Sequence, residues 1–447
     1  MGKLFGTDGV RGVANTELTP ELAFRLGRAA TAFFGRECTR PKFVVGRDTR
    51  ISGQMLESAL AAGICSAGGE AINVGVIPTP AVAYLARVMG AQAGVVISAS
   101  HNPYPDNGIK FFSGNGNKLP DATEDELEKL VLAEPDLLAR PSGENVGSIQ
   151  YRHDLIDTYI EHAISTVDAD FKGLKIVVDC AHGAAYEVAP TIFKRLGAQV
   201  IVLNNQPTGT NINLECGSTH LDSLKAAVVE HQADLGIGHD GDADRCLAVD
   251  ETGNVVDGDQ IMVICAQELL RCGKLSDNTL VATVMSNIGL HQAIKRAGGN
   301  VVITPVGDRY VLEVMNAHGY SLGGEQSGHI IFSEHSTTGD GIVTALQLIA
   351  ALINSGKKLS ELAALMTCFP QLLVNVRVGS KDGWQENTNI TAAIRAAEAE
   401  LGENGRVLVR PSGTEPLIRV MAEGPSLVEL ERLVKNVVAV IRQELPG

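Results

Sequence analysis

The feature that most restricts how this chain can fold is a helix end running into a strand, written three times. Ser66-Ala67-Gly68-Gly69-Glu70-Ala71-Ile72-Asn73-Val74, Arg195-Leu196-Gly197-Ala198-Gln199-Val200-Ile201-Val202-Leu203 and Arg296-Ala297-Gly298-Gly299-Asn300-Val301-Val302-Ile303-Thr304 share this form. Each sets glycine near the helix C-cap and continues as an apolar or alternating strand. Another strand is predicted upstream of each, beginning at Lys42, Leu174 and Thr279. Downstream of each comes a polar loop: SASHNP at 98–103, GHDGDADR at 238–245 and GGEQSGH at 323–329. One β-α-β plan used three times, at a spacing too long for a solenoid, predicts three related α/β domains with mixed sheets, each presenting one loop.

The pattern changes after Phe369-Pro370. A strand, a helix, two strands around Arg410–Pro416 and a last helix entered at Ser426, with Glu429 completing a capping box, predict a smaller α+β domain. The expected domains are residues 1–150, 151–256, 257–369 and 370–447, with the polar stretch 113–150 as a connector that holds one acidic helix. Near the N-terminus, Thr19 is the expected cap of a helix that begins with Pro20.

Several function classes are disfavoured. The net charge is −15 and only 4% of residues are aromatic, which argues against a nucleic-acid groove or stacking platform. Eight cysteines without a C-x-x-C pair read as reduced, mostly buried thiols of a cytoplasmic protein, and a zinc site is not expected. The opening residues lack the apolar core of a signal peptide, and the longest clean apolar stretch, 342–353, is too short to span a bilayer.

Chemistry-bearing residues sit in the loops. Val95-Val96-Ile97 reads as a buried strand that breaks at Ser98 into a loop where Ser100 and His101 are adjacent, with Lys110 further on. That loop is either a turn between strands or the seat of a nucleophile. Asp240, Asp242 and Asp244 alternate, so an extended loop can turn all three carboxylates toward one hard cation. Mg²⁺ is the natural choice if a phosphate supplies the next oxygen. An EF-hand is excluded because Arg245 stands where the calcium loop requires glycine. Glu325 and Ser327 can read sugar hydroxyls, while His329 beside Ile330-Ile331 is either a ligand or a packed ring. Arg410, two hydroxyls and Gly413, with Arg419 following, suit a phosphate monoester. The same tetrapeptide at Arg140–Gly143 lacks flanking strands and reads as a turn. Arg11 lies in a glycine-rich opening that is either a flexible terminus or an anion contact. Arg47 and Arg50, ahead of a helix, either hold a phosphate or pair as solvated charges with Asp48. A serine, a metal, a polyol reader and a phosphate clamp together point to phosphoryl transfer to or from a sugar phosphate.

Five motifs in order, GTDGVRG at 6–12, SASHNP at 98–103, DGDADR at 240–245, GEQSGH at 324–329 and RPSGTEP at 410–416, resemble the α-D-phosphohexomutase superfamily over nearly the whole chain. Gln326 and the GTDGVRG opening resemble its glucosamine branch. The resemblance implies four domains around a central cleft, with the fourth as a lid. It implies a phosphoserine at Ser100 and Mg²⁺ held by Asp240, Asp242, Asp244 and the Ser100 phosphate. His101, Lys110 and Arg245 join Ser100 in the implied catalytic set. Arg11, Glu325, Ser327, His329, Arg410, Ser412, Gly413, Thr414 and Arg419 form the implied substrate-binding set. The implied reaction interconverts glucosamine 6-phosphate and glucosamine 1-phosphate through a 1,6-bisphosphate, in the cytoplasm, feeding UDP-N-acetylglucosamine and cell-wall precursor synthesis. It leaves room for a homodimer and implies neither a nucleic acid nor a membrane partner. Gly307-Asp308-Arg309-Tyr310 stands where some relatives carry a histidine, so the general base stays open among Lys110, His101 and His329. The rival readings are a mutase for mannose or glucose phosphates, a sugar phosphatase that uses the same serine and metal, and a non-catalytic sugar-phosphate or Ca²⁺-binding protein.

Overall fold

The computed structural model describes residues 4–6, 8–381, 383–412 and 417–446. The first sheet holds β1 (Val10–Val13), β2 (Lys42–Arg47), β3 (Glu70–Val76), β4 (Ala93–Ile97), β5 (Asp106–Ser113) and β6 (Ser148–Tyr151), in the order β1-β5-β4-β2-β3-β6. β4, β2, β3 and β6 run parallel, β5 returns antiparallel beside β4, and β1 pairs antiparallel with β5, so β5 alone runs against the others. Every residue of β4 is buried, as an unbroken apolar run in a covered sheet requires. Thr19 caps the helix Pro20–Phe34 by accepting from the Leu22 amide, as its sequence predicts. The expected connector supplies the helix Asp121–Leu132 and, in β6, an edge strand that rejoins the first sheet beside β3.

The second sheet is built from β7 (Lys175–Asp179), β8 (Gln199–Leu203), β9 (Leu235–His239), β10 (Cys246–Asp250) and β11 (Val255–Val256), ordered β11-β10-β9-β7-β8. The third holds β12 (Thr279–Thr283), β13 (Asn300–Thr304), β14 (Leu322–Gly324) and β15 (Ile330–Phe332), ordered β13-β12-β14-β15. The three sheets repeat one device. A parallel strand ends, the chain makes a polar loop, and an antiparallel strand returns beside it: β4 to β5, β9 to β10 and β14 to β15. The three distinctive loops occupy equivalent places for this reason.

A fourth, antiparallel sheet holds β16 (Gln371–Arg377), β17 (Arg406–Pro411) and β18 (Leu417–Glu423), ordered β16-β18-β17. The helices Thr388–Leu401 and Leu427–Glu444 contribute to its apolar core. This domain forms one compact unit of Met366–Gly447 with Ser286–Ala297, and the remaining chain forms the other. The helix Ile288–Arg296, between β12 and β13 in sequence, therefore groups with the fourth sheet. Several bonds tie its start there: Glu423 is 0% exposed and accepts from both the Ile288 amide (2.7 Å) and Arg406 Nε (2.8 Å), and Asn287 exchanges hydrogen bonds with the Phe369 backbone (2.9 and 3.1 Å). An unpaired amide of that helix start is satisfied by a strand far along the chain.

All eight cysteines are free thiols; Cys180, Cys216, Cys246 and Cys265 are buried, whereas Cys272 and Cys368 are exposed. Among the described residues, no helix is long and apolar enough to cross a membrane.

Candidate active site

Ser100 follows β4 and takes a left-handed backbone, φ +51°, that non-glycine residues rarely adopt. It is 2% exposed. Its Oγ donates to Asp240 Oδ2 at 2.6 Å and lies 3.3 Å from His101 Nδ1. The loop is a turn between two strands that aims the Ser100 hydroxyl at a carboxylate. Burial is the largest influence on His101 and, with Arg245 and Arg11 nearby, lowers its pKa.

Asp240, Asp242 and Asp244 come from the β9–β10 loop, and one carboxylate oxygen of each lies within 4.8 Å of the others. Burial first, then the charges of Asp244 and Asp242, push the Asp240 pKa well above the carboxylate range. Asp242 Oδ1 and Asp244 Oδ1 are buried without a hydrogen-bond partner among the described residues. Crowded, desolvated carboxylates with unpartnered oxygens are costly unless a cation completes them. An all-oxygen donor set fits a hard divalent cation, so the residues present suit a metal. The Arg245 amide donates to Asp240 Oδ1 at 3.2 Å, and its Nε lies 4.0 Å from Asp244 Oδ1.

Around the trio runs a closed circuit of alternating charge. Lys110 Nζ meets Asp242 Oδ2 (3.0 Å), Asp8 Oδ2 (3.3 Å) and Asp244 Oδ2 (3.9 Å). Asp8 continues to Lys118 (2.8 Å), and Lys118 to Asp308 (2.5 Å). Asp308 lies 3.4 Å from His329 Nε2, and His329 Nδ1 closes the circuit 3.5 Å from Asp244 Oδ2. Burial alone lowers a lysine pKa, but Asp242, Asp8 and Asp244 outweigh it and hold Lys110 above its ordinary range. Burial likewise opposes a charged His329, yet Asp244 and Asp308 raise it to about 9. Burial raises Asp308 less than Lys118 and His329 lower it. His329 is therefore not a ring merely packed beside Ile330 but a link between the second and third loops.

Glu325 and Ser327 share the β14–β15 loop with His329. Glu325 Oε1 accepts from the Gly307 amide at 3.1 Å. Gln326 donates to Asp257 Oδ2 at 3.1 Å, a contact that keeps its side chain in the scaffold. Arg11 pairs with Asp8. Arg410 and Arg419 are direct partners across β17 and β18, and Ser412 is 3% exposed beside them. Burial, then the Arg419 charge, lowers the Arg410 pKa. Like charges opposite one another in a sheet favour an anion between them. Gly413 and Thr414 lie outside the described residues.

Neither sequence reading of Arg50 holds. It does pair with Asp48, but buried, 1% exposed, and its guanidinium donates to the carbonyls of Ser100, Asn102, Pro103 and Asp106. It is neither solvated nor open to a phosphate. The sequence reading missed Asp8, Thr79, Lys118, Asp308 and Asn213 as site residues. Thr79 donates to Asp242 Oδ2 at 2.7 Å, and Asn213 donates to the Ser100 carbonyl at 2.9 Å. The only signals were an acid in GTDGVRG and the departure at Asp308.

Comparison with known proteins gives one consistent picture. Models of the phosphoglucomutase/phosphomannomutase family match in chain order: alpha/beta/alpha domain I at residues 2–137, domain II at 157–253, domain III at 257–369 and the C-terminal domain at 373–440. The chain is 58% identical over 448 residues to a phosphoglucosamine mutase of Symbiobacterium thermophilum, covering 100% of both proteins. It is 59% identical over 433 residues to one of Moorella thermoacetica, covering 97% of this chain and 98% of that one. Among solved structures, a phosphoglucomutase/phosphomannomutase family protein of Burkholderia thailandensis superposes with a TM-score of 0.83 at 25% identity, covering 100% of this chain and 98% of that one.

Proposed function

The chain belongs to the phosphoglucomutase/phosphomannomutase family, and on that premise we propose that it interconverts glucosamine 6-phosphate and glucosamine 1-phosphate, with Ser100 as the phosphoryl carrier. The observation that carries the reading is the buried Ser100 hydroxyl, 2.6 Å from an aspartate of a metal-competent trio.

In the proposed reaction, the bond from phosphorus to Ser100 Oγ breaks as a bond to the sugar O1 forms, and the O1 hydroxyl gives up its proton. The resulting 1,6-bisphosphate reorients, its phosphorus–O6 bond breaks, and Ser100 Oγ takes the phosphoryl group back. In net terms Ser100 Oγ gains a proton as it leaves in the first step and loses one as it attacks in the second, when O6 takes up a proton. The proposed ion is Mg²⁺, held by Asp240, Asp242, Asp244 and a phosphoserine oxygen; when bound it spreads the charge of the phosphoryl oxygens. Lys110, held as an ammonium between Asp8 and Asp242, answers the same charge from the protein side. Of the three candidates for handling the hydroxyl proton, His101, whose pKa is lowered, is the one suited to accept it, whereas Lys110 and His329 are held toward their charged forms and suit proton donation. Arg245 sits beside the trio and Arg11 beside Asp8, and both face the anionic ligand in this reading. Glu325 and Ser327 read hydroxyls, and Arg410, Ser412, Gly413, Thr414 and Arg419 hold the phosphate that is not reacting. Catalysis of this kind is mostly positioning and charge neutralisation. The cytoplasm is the proposed setting, in keeping with the free thiols.

Phosphorylated enzyme mixed with glucosamine 6-phosphate should yield the sugar 1-phosphate and retain phosphate on Ser100. Free phosphate without a sugar 1-phosphate would overturn the mutase reading in favour of a phosphatase. Rates measured side by side with glucose and mannose 6-phosphates test the sugar, and a preference for either would overturn the glucosamine assignment.

A further inference from the structure

A phosphoryl carrier has an unusual structural problem. It gains and loses a dianion at each turnover, yet its oxygen must stay where the transfer happens. Phosphorylation brings nearly two negative charges to one side chain, enough to swing a loop that is not held by its backbone. Ser100 also sits at φ +51°, a conformation that persists only when its surroundings over-determine it.

The surroundings do so from two domains. The Ser100 carbonyl accepts from Arg50 Nη2 (2.9 Å) and from Asn213 Nδ2 (2.9 Å). The same two donors take the Asn102 carbonyl, at 2.8 Å and 3.2 Å. Arg50 Nη1 holds the carbonyls of Pro103 and Asp106, and its Nε is fixed on Asp48 Oδ2 at 2.8 Å. The Ser100 amide donates to Ser98 Oγ at 2.9 Å, and Ser98 Oγ donates to Asp48 Oδ2 at 2.6 Å. Arg50 and Asp48 come from the loop after β2. Asn213 comes from the second domain, ahead of β9, where its own amide is tied to the Ala181 carbonyl at 2.9 Å. The metal loop closes the cage: a Cβ on Gly241 would lie 2.5 Å from the Ser100 carbonyl oxygen and 2.8 Å from Asn213 Nδ2.

We infer that Arg50 and Asn213 are positioning residues for the phosphoryl carrier. They clamp the Ser100 and Asn102 carbonyls from the first and second domains, so that Ser100 Oγ keeps its place against Asp240 whether or not it carries phosphate. Neither touches the reacting atoms. The inference rests on the mutase reading and extends it from the nucleophile to its mount.

Asn213 gives the cleaner test, because its left-handed backbone, φ +58°, is one that glycine adopts without cost. Asn213→Gly removes both amide bonds and keeps the chain path. Asn213→Asp keeps the shape and turns the donor into a charge facing two carbonyl oxygens. Asn213→Gly should melt within a few degrees of the wild type, keep KM within about 3-fold and lose kcat by about 10–100-fold, the scale expected when a reacting group shifts by a fraction of an ångström. Asn213→Asp should lose more, and transfer of phosphate from the 1,6-bisphosphate to Ser100, followed by intact mass, should slow in step. Wild-type kcat in Asn213→Gly overturns the inference, as does a loss that merely tracks the fraction of folded protein. If Asn213→Asp does not fold, Asn213→Gly alone decides. The wild-type reaction run beside them separates the two levels: a wild type that makes no sugar 1-phosphate sinks the mutase reading, whereas an active wild type with an equally active Asn213→Gly sinks only the positioning role.

Discussion

Two clusters of like charge are housed in opposite ways. Asp240, Asp242 and Asp244 are at most 7% exposed, and two of their oxygens have no hydrogen-bond partner among the described residues. Arg410 and Arg419 face one another on strands that leave both side chains half-buried. The carboxylates are walled in by a circuit of Lys110, Asp8, Lys118, Asp308 and His329, whose charges alternate and largely answer one another. The circuit stands without a ligand, but the trio inside it does not. A desolvated like-charge cluster is completed by the charge it waits for, whereas a half-exposed one is relieved by water. The first should govern rate, the second affinity.

The largest effect should come from removing the group between the trio and the phosphate. Ser100→Ala should lose about 10⁴-fold or more in turnover, and its intact mass should show no phosphate adduct. Full turnover in that variant would end the comparison, because the trio would then serve some other group. Next, Asp242→Asn should lower kcat by about 10²–10³-fold with the fold kept, since one oxygen ligand leaves a preformed site. Arg410→Met should instead raise the KM for glucosamine 6-phosphate about 10-fold and leave kcat within about 3-fold. If Arg410→Met instead cut kcat and left KM alone, rate and affinity would not divide as proposed.

Smaller effects bear on stability. In chelator, Asp240→Asn should melt higher than the wild type, by about 1–2 kcal/mol, because it removes one of three buried like charges. A lower melting point would mean that the trio is not repulsive without its cation. The smallest expected effect concerns His291, in the C-terminal unit, whose pKa burial and the Arg406 charge lower to about 4. Its ring stays neutral in the folded chain at pH values where the unfolded chain binds a proton. The folded state is thus favoured above pH ~6.5, and that advantage is lost as pH falls toward 4. Once solvent screening is allowed for, the change is about 1 kcal/mol. His291→Gln should flatten the pH dependence, read by the fluorescence of Trp384, the single tryptophan, which lies in the same unit. A slope unchanged from wild type would assign the dependence elsewhere.

Much of this was legible in the sequence. The three domains follow from glycine-capped helix ends before strands, and the loops declare themselves by polar residues after an apolar run. The alternation of Asp240, Asp242 and Asp244 is visible because one loop supplies the whole set. What stayed hidden depends on distant partners. Arg50 has the composition of an anion ligand, and only the fold brings it to carbonyls about 50 residues away. Asn213 lies in a run of Gly, Thr and Asn that resembles any surface loop. Asp8, Lys118 and Asp308 form a chain of ion pairs across the first and third domains, and no local spacing announces it. The helix Ile288–Arg296 lies in the third domain by sequence order, yet bonds at its start to Glu423, Arg406 and the Phe369 backbone group it with the fourth sheet.

The left-handed backbone at Ser100 also bears on which amino acid can stand there. Threonine offers the same hydroxyl and could carry the same phosphate. Its branched Cβ, however, makes φ near +51° a strained outlier. Ser100→Thr would have to unwind the turn to be accommodated, taking its oxygen away from Asp240. Two alcohols of equal chemical competence are told apart by a torsion angle, and the choice of nucleophile is made by the main chain.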